Sequence, residues 1–258
     1  MIDTHCHLLP DIDDGPTTES ETHEMCRLAQ QDGIVTIVAT PHSFDGKFLT
    51  KPDKVRTLTR KLALDLKATG TNVEIMPGME DRISAELLEH LDRNEILPLN
   101  DGTYILVEFH NSDLPVGCEH FFEKLLESGY KAVIAHPEKN LAIQSSPEFV
   151  YKLLGLFEPW DILIQLTADS LTGAAGVHSQ KCAETLLKHN LVHLIASDAH
   201  SVAQRFPCLS EAVKRAAHIV GEENASKMVQ DIPLAVLTGA SFPEPWSAEN
   251  PRRWWRLF

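Results

Sequence analysis

Seven short apolar runs, rich in Val and Ile, recur along the chain at residues 2–5, 34–39, 73–76, 104–109, 131–135, 162–166 and 192–197. They show little polar alternation, the pattern of strands buried on both faces. Helical patterns separate them. Residues 17–32 place Met25, Leu28 and Ala29 at helical spacing and stop at Gly33, a C-cap signal. Val55, Leu58, Leu62 and Leu66 form one stripe ahead of Gly70, and Phe121, Phe122, Leu125 and Leu126 precede Gly129. Further helices are expected at 149–156, 179–189 and 209–220. A strand-then-helix order with right-handed crossovers builds a parallel sheet or a barrel.

The ionisable residues decide between those two. Six of the seven runs lead into one: His5-Cys6-His7, Thr40-Pro41-His42, Pro77-Gly78-Met79-Glu80, Val107-Glu108, Ala135-His136-Pro137 and Ser197-Asp198-Ala199-His200. Residues i and i+2 of a strand share a side, so His5 and His7 can grip one metal ion while Cys6 faces away. A (β/α) barrel gathers its site at the C-terminal ends of all its strands, whereas an open sheet uses one switch point. Contributions from six of seven strands favour a closed or nearly closed barrel. A lone histidine on an apolar run is more often a hydrogen-bonded core residue. Recurrence at successive strand ends instead points to metal-dependent hydrolysis.

Composition narrows the classes further. A chain of 258 residues, 43% hydrophobic, can bury one sizeable core. The expected organisation is one domain over 1–241 and a Pro-, Trp- and Arg-rich tail over 242–258. The net charge of −14 and the lack of a basic patch in the body argue against nucleic acid. The five cysteines are scattered, with no Cys-x-x-Cys, so a zinc ribbon or disulfide framework is not expected. No cysteine has an Arg six residues on, which excludes a phosphate loop with a thiol nucleophile. No run approaches the ~18 apolar residues of a membrane span. His5 and His7 lie too near Met1 to survive cleavage of a leader, and a cytoplasmic location is expected. The tail motif Arg252-Arg253-Trp254-Trp255-Arg256 suits packing or a docking contact better than a membrane surface. A homo-oligomer is compatible with the sequence but not readable from it.

His5-x-His7, Thr40-Pro41-His42, Gly78-Met79-Glu80, Ala135-His136-Pro137-Glu138 and Ser197-Asp198-Ala199-His200 resemble the ordered motifs of the polymerase-and-histidinol-phosphatase (PHP) superfamily. The opening MIDTHCHLLPDIDDG, together with VATPHSFDGKF, SLTGAAG and IASDAHS, resembles the bacterial PHP-type protein-tyrosine phosphatases of capsule and exopolysaccharide gene clusters. The likeness runs in order from Met1 to about Val220. It implies a distorted (β/α)7 barrel holding two to three divalent metals. His5, His7, Glu80 and Asp198 would hold one; Glu80 would bridge to a second, completed by Glu108 and His136; Asp14, His42 and His200 would hold the third. Imidazole and carboxylate donors without thiolate suit Mn, Fe or Zn, with Mn preferred.

The same resemblance implies a catalytic group of Arg205, Lys139, Asp198 and His200, with Arg205 and Lys139 binding phosphate. Lys139 stands where the subfamily usually has Arg; it keeps the charge but loses the planar fork. The implied substrate is phosphotyrosine in the tail of a membrane-associated tyrosine autokinase. A phenolate of pKa about 10 leaves without a strong general acid. Two other readings are compatible: a phosphatase for a small metabolite such as histidinol phosphate, and a weakly active regulatory PHP protein. A PHP-type exonuclease fits poorly with the acidity. Asp13 is read as a turn cap before Gly15, with a metal role as the alternative, and Asp3 and Asp11 as local hydrogen-bonders or orienting groups. Eight further histidines are read as structural, with His110 a candidate for touching substrate because it follows the fourth strand.

Overall fold

The computed structural model describes residues 1–84 and 86–244. Nine strands are found among them: β1 (Ile2–Cys6), β2 (Thr36–Ala39), β3 (His42–Ser43), β4 (Glu74–Pro77), β5 (Glu80–Arg82), β6 (Tyr104–Glu108), β7 (Lys131–Ala135), β8 (Ile162–Thr167) and β9 (Leu194–Ala196). Every pairing is parallel. The nine occupy seven positions, because the second and third expected strands are each followed, after a break, by a short strand beyond the expected run. Thr40 and Pro41 separate β2 from β3, and Gly78 and Met79 separate β4 from β5. Pro41 has no N–H to offer a ladder. The two members of each pair consequently belong to different sheets, in the orders β1-β2-β4 and β3-β5-β6-β7-β8-β9.

The two sheets meet again at the C-terminal ends of β9 and β1. Asp198 N–H donates to the His5 carbonyl and His7 N–H to the Ala199 carbonyl, both at 2.8 Å. The result is a distorted ring of seven parallel positions, as the strand-end pattern anticipates. The six expected helices are present as Glu19–Asp32, Pro52–Thr69, Cys118–Glu127, Glu148–Leu154, Val177–Lys188 and Ser210–Val220. Gly33 and Gly70 take left-handed φ of 87° and 77° and return their N–H groups to the preceding turn. Five further α-helices among the described residues, Ala168–Thr172 and Asp231–Thr238 included, carry no signal strong enough to have been expected. No described helix is long and apolar enough to cross a membrane.

Alternation along the strands sets which end of the ring is polar. Tyr104 and Leu106 face inward with Val133, Leu163 and Leu194, where Ile232 and Val236 of Asp231–Thr238 plug the N-terminal end. Ile105, Val107, Ile134, Ile164 and Ile195 face outward against the helices. Continuing the inward series two residues at a time brings Glu108 and Gln165 to the opposite end. Phe242, the first residue of the expected tail, stacks on Trp160 at 4.6 Å and meets Tyr104 edge-on at 6.0 Å. The 252–256 motif lies outside the described residues.

Gly78 is tightly enclosed at the β4–β5 break. A Cβ there would stand 2.9 Å from Val38 Cγ1 and 3.0 Å from Leu99 Cδ2. Gly78→Ala is expected to destabilise the fold by about 1–3 kcal/mol, the usual cost of overpacking. Urea unfolding measures it; an unchanged midpoint would mean the break relaxes freely.

Candidate metal centre

The bulge in β1, where the pairing register shifts between Asp3 and Cys6, lets adjacent side chains serve the same interior. Thr4 and His5 both reach Gln165, at 2.9 and 2.8 Å. His5 and His7 come together as the i, i+2 spacing requires, with their Nε2 atoms 3.2 Å apart. His136 and Asp198 have φ of 32° and 53°. Non-glycine residues rarely adopt this left-handed region, and here each follows a strand and turns its side chain back across the ring.

Glu80 is the hub. Its Oε1 lies 2.9 Å from His136 Nε2, and its Oε2 lies 3.1 to 3.3 Å from His42 Nδ1, His7 Nε2 and His5 Nε2. Asp198 Oδ1 is 3.5 and 3.6 Å from the Nε2 atoms of His5 and His7. Glu108 Oε2 approaches His136 at 3.9 Å. Asp14 Oδ1 lies 3.3 Å from His200 Nε2 and 3.7 Å from His42 Nε2. All nine expected donors thus gather at one place. They form four overlapping groups whose donor atoms lie within 4.8 Å of one another: His7, Asp14, His42 and His200; His5, His7 and Glu80; His5, His136 and Asp198; Glu80, Glu108 and His136.

The electrostatics suit cations. Burial opposes ionisation of Glu80, yet the imidazoles, His5 foremost, hold its carboxyl well below the usual range. Burial likewise works against Asp198, but Lys139, His5, His136 and Arg205 hold it well below that range. Glu108 is pushed up by burial and then by Glu80. Burial lowers His5 to about 4. Glu80 Oε2 and His42 Nδ1 are buried without a hydrogen-bond partner despite their closeness. Oxygen and nitrogen donors crowded together in this way fit divalent cations.

Lys139 Nζ and Arg205 Nη2 each lie 2.5 Å from Asp198 Oδ2. They line a cleft of about 320 Å³ with His42, Glu108 and His200. The Asp14 carboxylate, 44% exposed, marks its rim.

A family model described as capsular polysaccharide synthesis, CpsB/CapC, matches residues 1–238. The chain belongs to this family. It is 34% identical to the tyrosine-protein phosphatase YwqE of Bacillus subtilis, over the full length of both chains. It is 28% identical to the tyrosine-protein phosphatase CpsB of Streptococcus pneumoniae, over 92% of this chain and 98% of that one. A solved structure, from work on YwqE and CpsB described as unique metal-dependent tyrosine phosphatases, superposes with a TM-score of 0.87 at 35% identity, covering 96% of this chain and all of the other. Histidinol phosphate phosphatase of Lactococcus lactis shares the fold, with a TM-score of 0.59 at 12% identity over 87% of this chain and 93% of that one.

Several residues of this CpsB/CapC member take parts that sequence reasoning missed or left open. Arg82 Nε and Nη2 donate to Glu108 Oε1 at 3.1 and 2.8 Å, while Nη1 donates to the Asp45 carbonyl. An arginine two residues after a candidate ligand in a short strand was the available signal. Asp13 caps the turn as expected, stands outside the donor groups and also reaches a candidate ligand, a part not foreseen for it. It accepts the Gly15 N–H in a turn, and its Oδ2 lies 2.7 Å from His7 Nδ1. Asp3 accepts from the Ser197 hydroxyl and N–H. Cys6 is buried, facing away from the donors. His110 is not brought to the cleft; its ring turns to Ser112 and Asp113.

Proposed function

We propose that this chain is a metal-dependent protein-tyrosine phosphatase of capsular or exopolysaccharide synthesis. The observation that carries the reading is the convergence of nine imidazole and carboxylate donors, seven of which line one open cleft together with two cationic side chains. His5, His7, Glu80 and Asp198 would hold one cation. Glu80 would be shared with a second, held by Glu108 and His136, and Asp14, His42 and His200 would hold a third. Mn is the preferred ion, with Fe or Zn compatible. Divalent cations in such a cluster lower the pKa of water and neutralise phosphoryl oxygens.

Lys139 and Arg205 then hold the phosphoryl group by charge-assisted hydrogen bonds. Asp198 and His200 complete the catalytic group. A site with Asp14 exposed at its rim suits a side chain carried by a protein. The substrate is the phosphorylated tail of a membrane-associated tyrosine kinase, met in the cytoplasm.

The test compares phosphate release from a phosphotyrosine peptide and from histidinol phosphate. Protein purified without chelator is set beside Mn-reconstituted and EDTA-treated samples, with His136→Ala as control. Metal-dependent release from the peptide, absent in His136→Ala, is expected. Preference for histidinol phosphate would overturn the substrate, and silence on both would overturn the enzyme reading.

A further inference from the structure

β8 is the one strand position from which the sequence offers no ligand, yet its Gln165 is fully buried at the polar end of the ring. The amide spans two residues of β1. Its Oε1 accepts the Thr4 hydroxyl at 2.9 Å, and its Nε2 lies 2.8 Å from His5 Nδ1. On the other side of that ring, His5 Nε2 faces Glu80 Oε2 at 3.3 Å and Asp198 Oδ1 at 3.5 Å. Each ring nitrogen of His5 therefore has a defined neighbour, and the two are linked. A neutral imidazole carries one proton, so whatever fixes one nitrogen fixes the other.

With the amide nitrogen at Nδ1, that atom accepts, and the ring proton sits on Nε2 pointing at Glu80. A cation shared with Glu80 and Asp198 needs the Nε2 lone pair instead. The proton must then sit on Nδ1 and requires an acceptor. The amide can provide one by a half-turn about its last bond, which brings Oε1 to His5 and the NH2 group to the Thr4 oxygen. A hydroxyl donates or accepts, so Thr4 is compatible with both arrangements.

We propose that Gln165 is the positioning residue for His5, and that its amide orientation is coupled to cation binding through the tautomer of that ring. The proposal rests on His5 being a metal ligand. It gives β8 a part in the site without making it a ligand strand. A partner of this kind is typically worth 10–100-fold in metal affinity.

The coupling predicts a particular order among substitutions. Gln165→Met keeps length and bulk but offers His5 only a weak thioether acceptor. Gln165→Glu presents oxygen to both neighbours and needs no half-turn. Binding of Mn2+ to chelator-stripped protein, followed by titration calorimetry, should weaken about 10–100-fold in Gln165→Met. Gln165→Glu should bind at least as tightly as wild type. Thermal unfolding in EDTA checks that each variant is folded. Should Gln165→Met not fold, Gln165→Asn, one methylene short of His5, replaces it. A purely structural role would penalise the buried charge of Gln165→Glu at least as heavily as the methionine. Wild-type affinity in Gln165→Met, or equal weakening in both variants, overturns the coupling alone. Absence of Mn2+ uptake by the wild type overturns both the coupling and the metal-centre reading.

Discussion

Replacing Glu80 with Gln is expected to lower phosphate release from a phosphotyrosine peptide by about a thousandfold or more, roughly 4 kcal/mol of transition-state stabilisation. The reason is position. One carboxylate touches His5, His7, His42 and His136, so it belongs to two of the four donor groups and borders the other two. Gln keeps the shape but removes the charge, and its NH2 group repels a cation. Stability should fall as well. The surrounding imidazoles favour the ionised Glu80 carboxylate more than burial opposes it, so its charge stabilises the fold at neutral pH and in chelator Glu80→Gln should unfold below the wild-type temperature. Added Mn2+ should stabilise wild type by mass action, by about 2.7 kcal/mol at a hundredfold excess over Kd, and stabilise the variant less. Activity, bound metal by mass spectrometry and Tm with and without Mn2+ read the three effects together. A variant that binds metal and turns over like wild type would remove Glu80 from the centre.

The same arithmetic explains which parts of this molecule could be read in its sequence. Continuous apolar runs mark strands buried on both faces, and period-3.6 stripes mark helices that bury one face, so all seven strand positions and six of the described α-helices were visible. The breaks at Thr40-Pro41 and Gly78-Met79 were not, because a change of sheet leaves no hydrophobic signature. Donors at strand ends were legible because residue type and spacing together define them. What stayed hidden was the supporting layer. Gln165 and Arg82 are ordinary residues in their strands, and only the fold brings them to His5 and Glu108. Asp13 was legible as a turn residue, but its contact with His7 depends on how the loop folds back. Asp81 follows Glu80 in the same short strand. It is fully buried beside Glu80, both of its oxygens lack a partner, and burial with Glu80 and Glu108 pushes it well above the usual carboxylate range.

Lys139→Ala is expected to lower kcat/KM for the peptide about 10–100-fold, the worth of one charge-assisted hydrogen bond of about 1.5–3 kcal/mol. Two roles are open to this lysine, and they separate cleanly. Its Nζ lies 2.5 Å from Asp198 Oδ2, so it could serve only to steady that carboxylate. Losing it would then lower bound metal and kcat together, with KM unchanged. But Arg205 holds the same oxygen at the same distance, so Asp198 keeps one cation when the other is removed. The 3-10 turn Pro137–Lys139 also fixes the lysine independently, through Lys139 N–H to the His136 carbonyl at 2.9 Å. The loss should therefore fall on phosphate: a raised KM and a raised inhibition constant for inorganic phosphate, at unchanged metal content. Lys139→Arg keeps the charge and adds the fork, and should stay within about threefold of wild type. The double variant with Arg205→Ala should lose metal as well, because Asp198 is then a buried carboxylate with neither cation, and contacts that share one partner do not add. Reduced metal in Lys139→Ala alone, with KM unmoved, would assign the lysine to Asp198 and leave Arg205 to bind the phosphoryl group by itself.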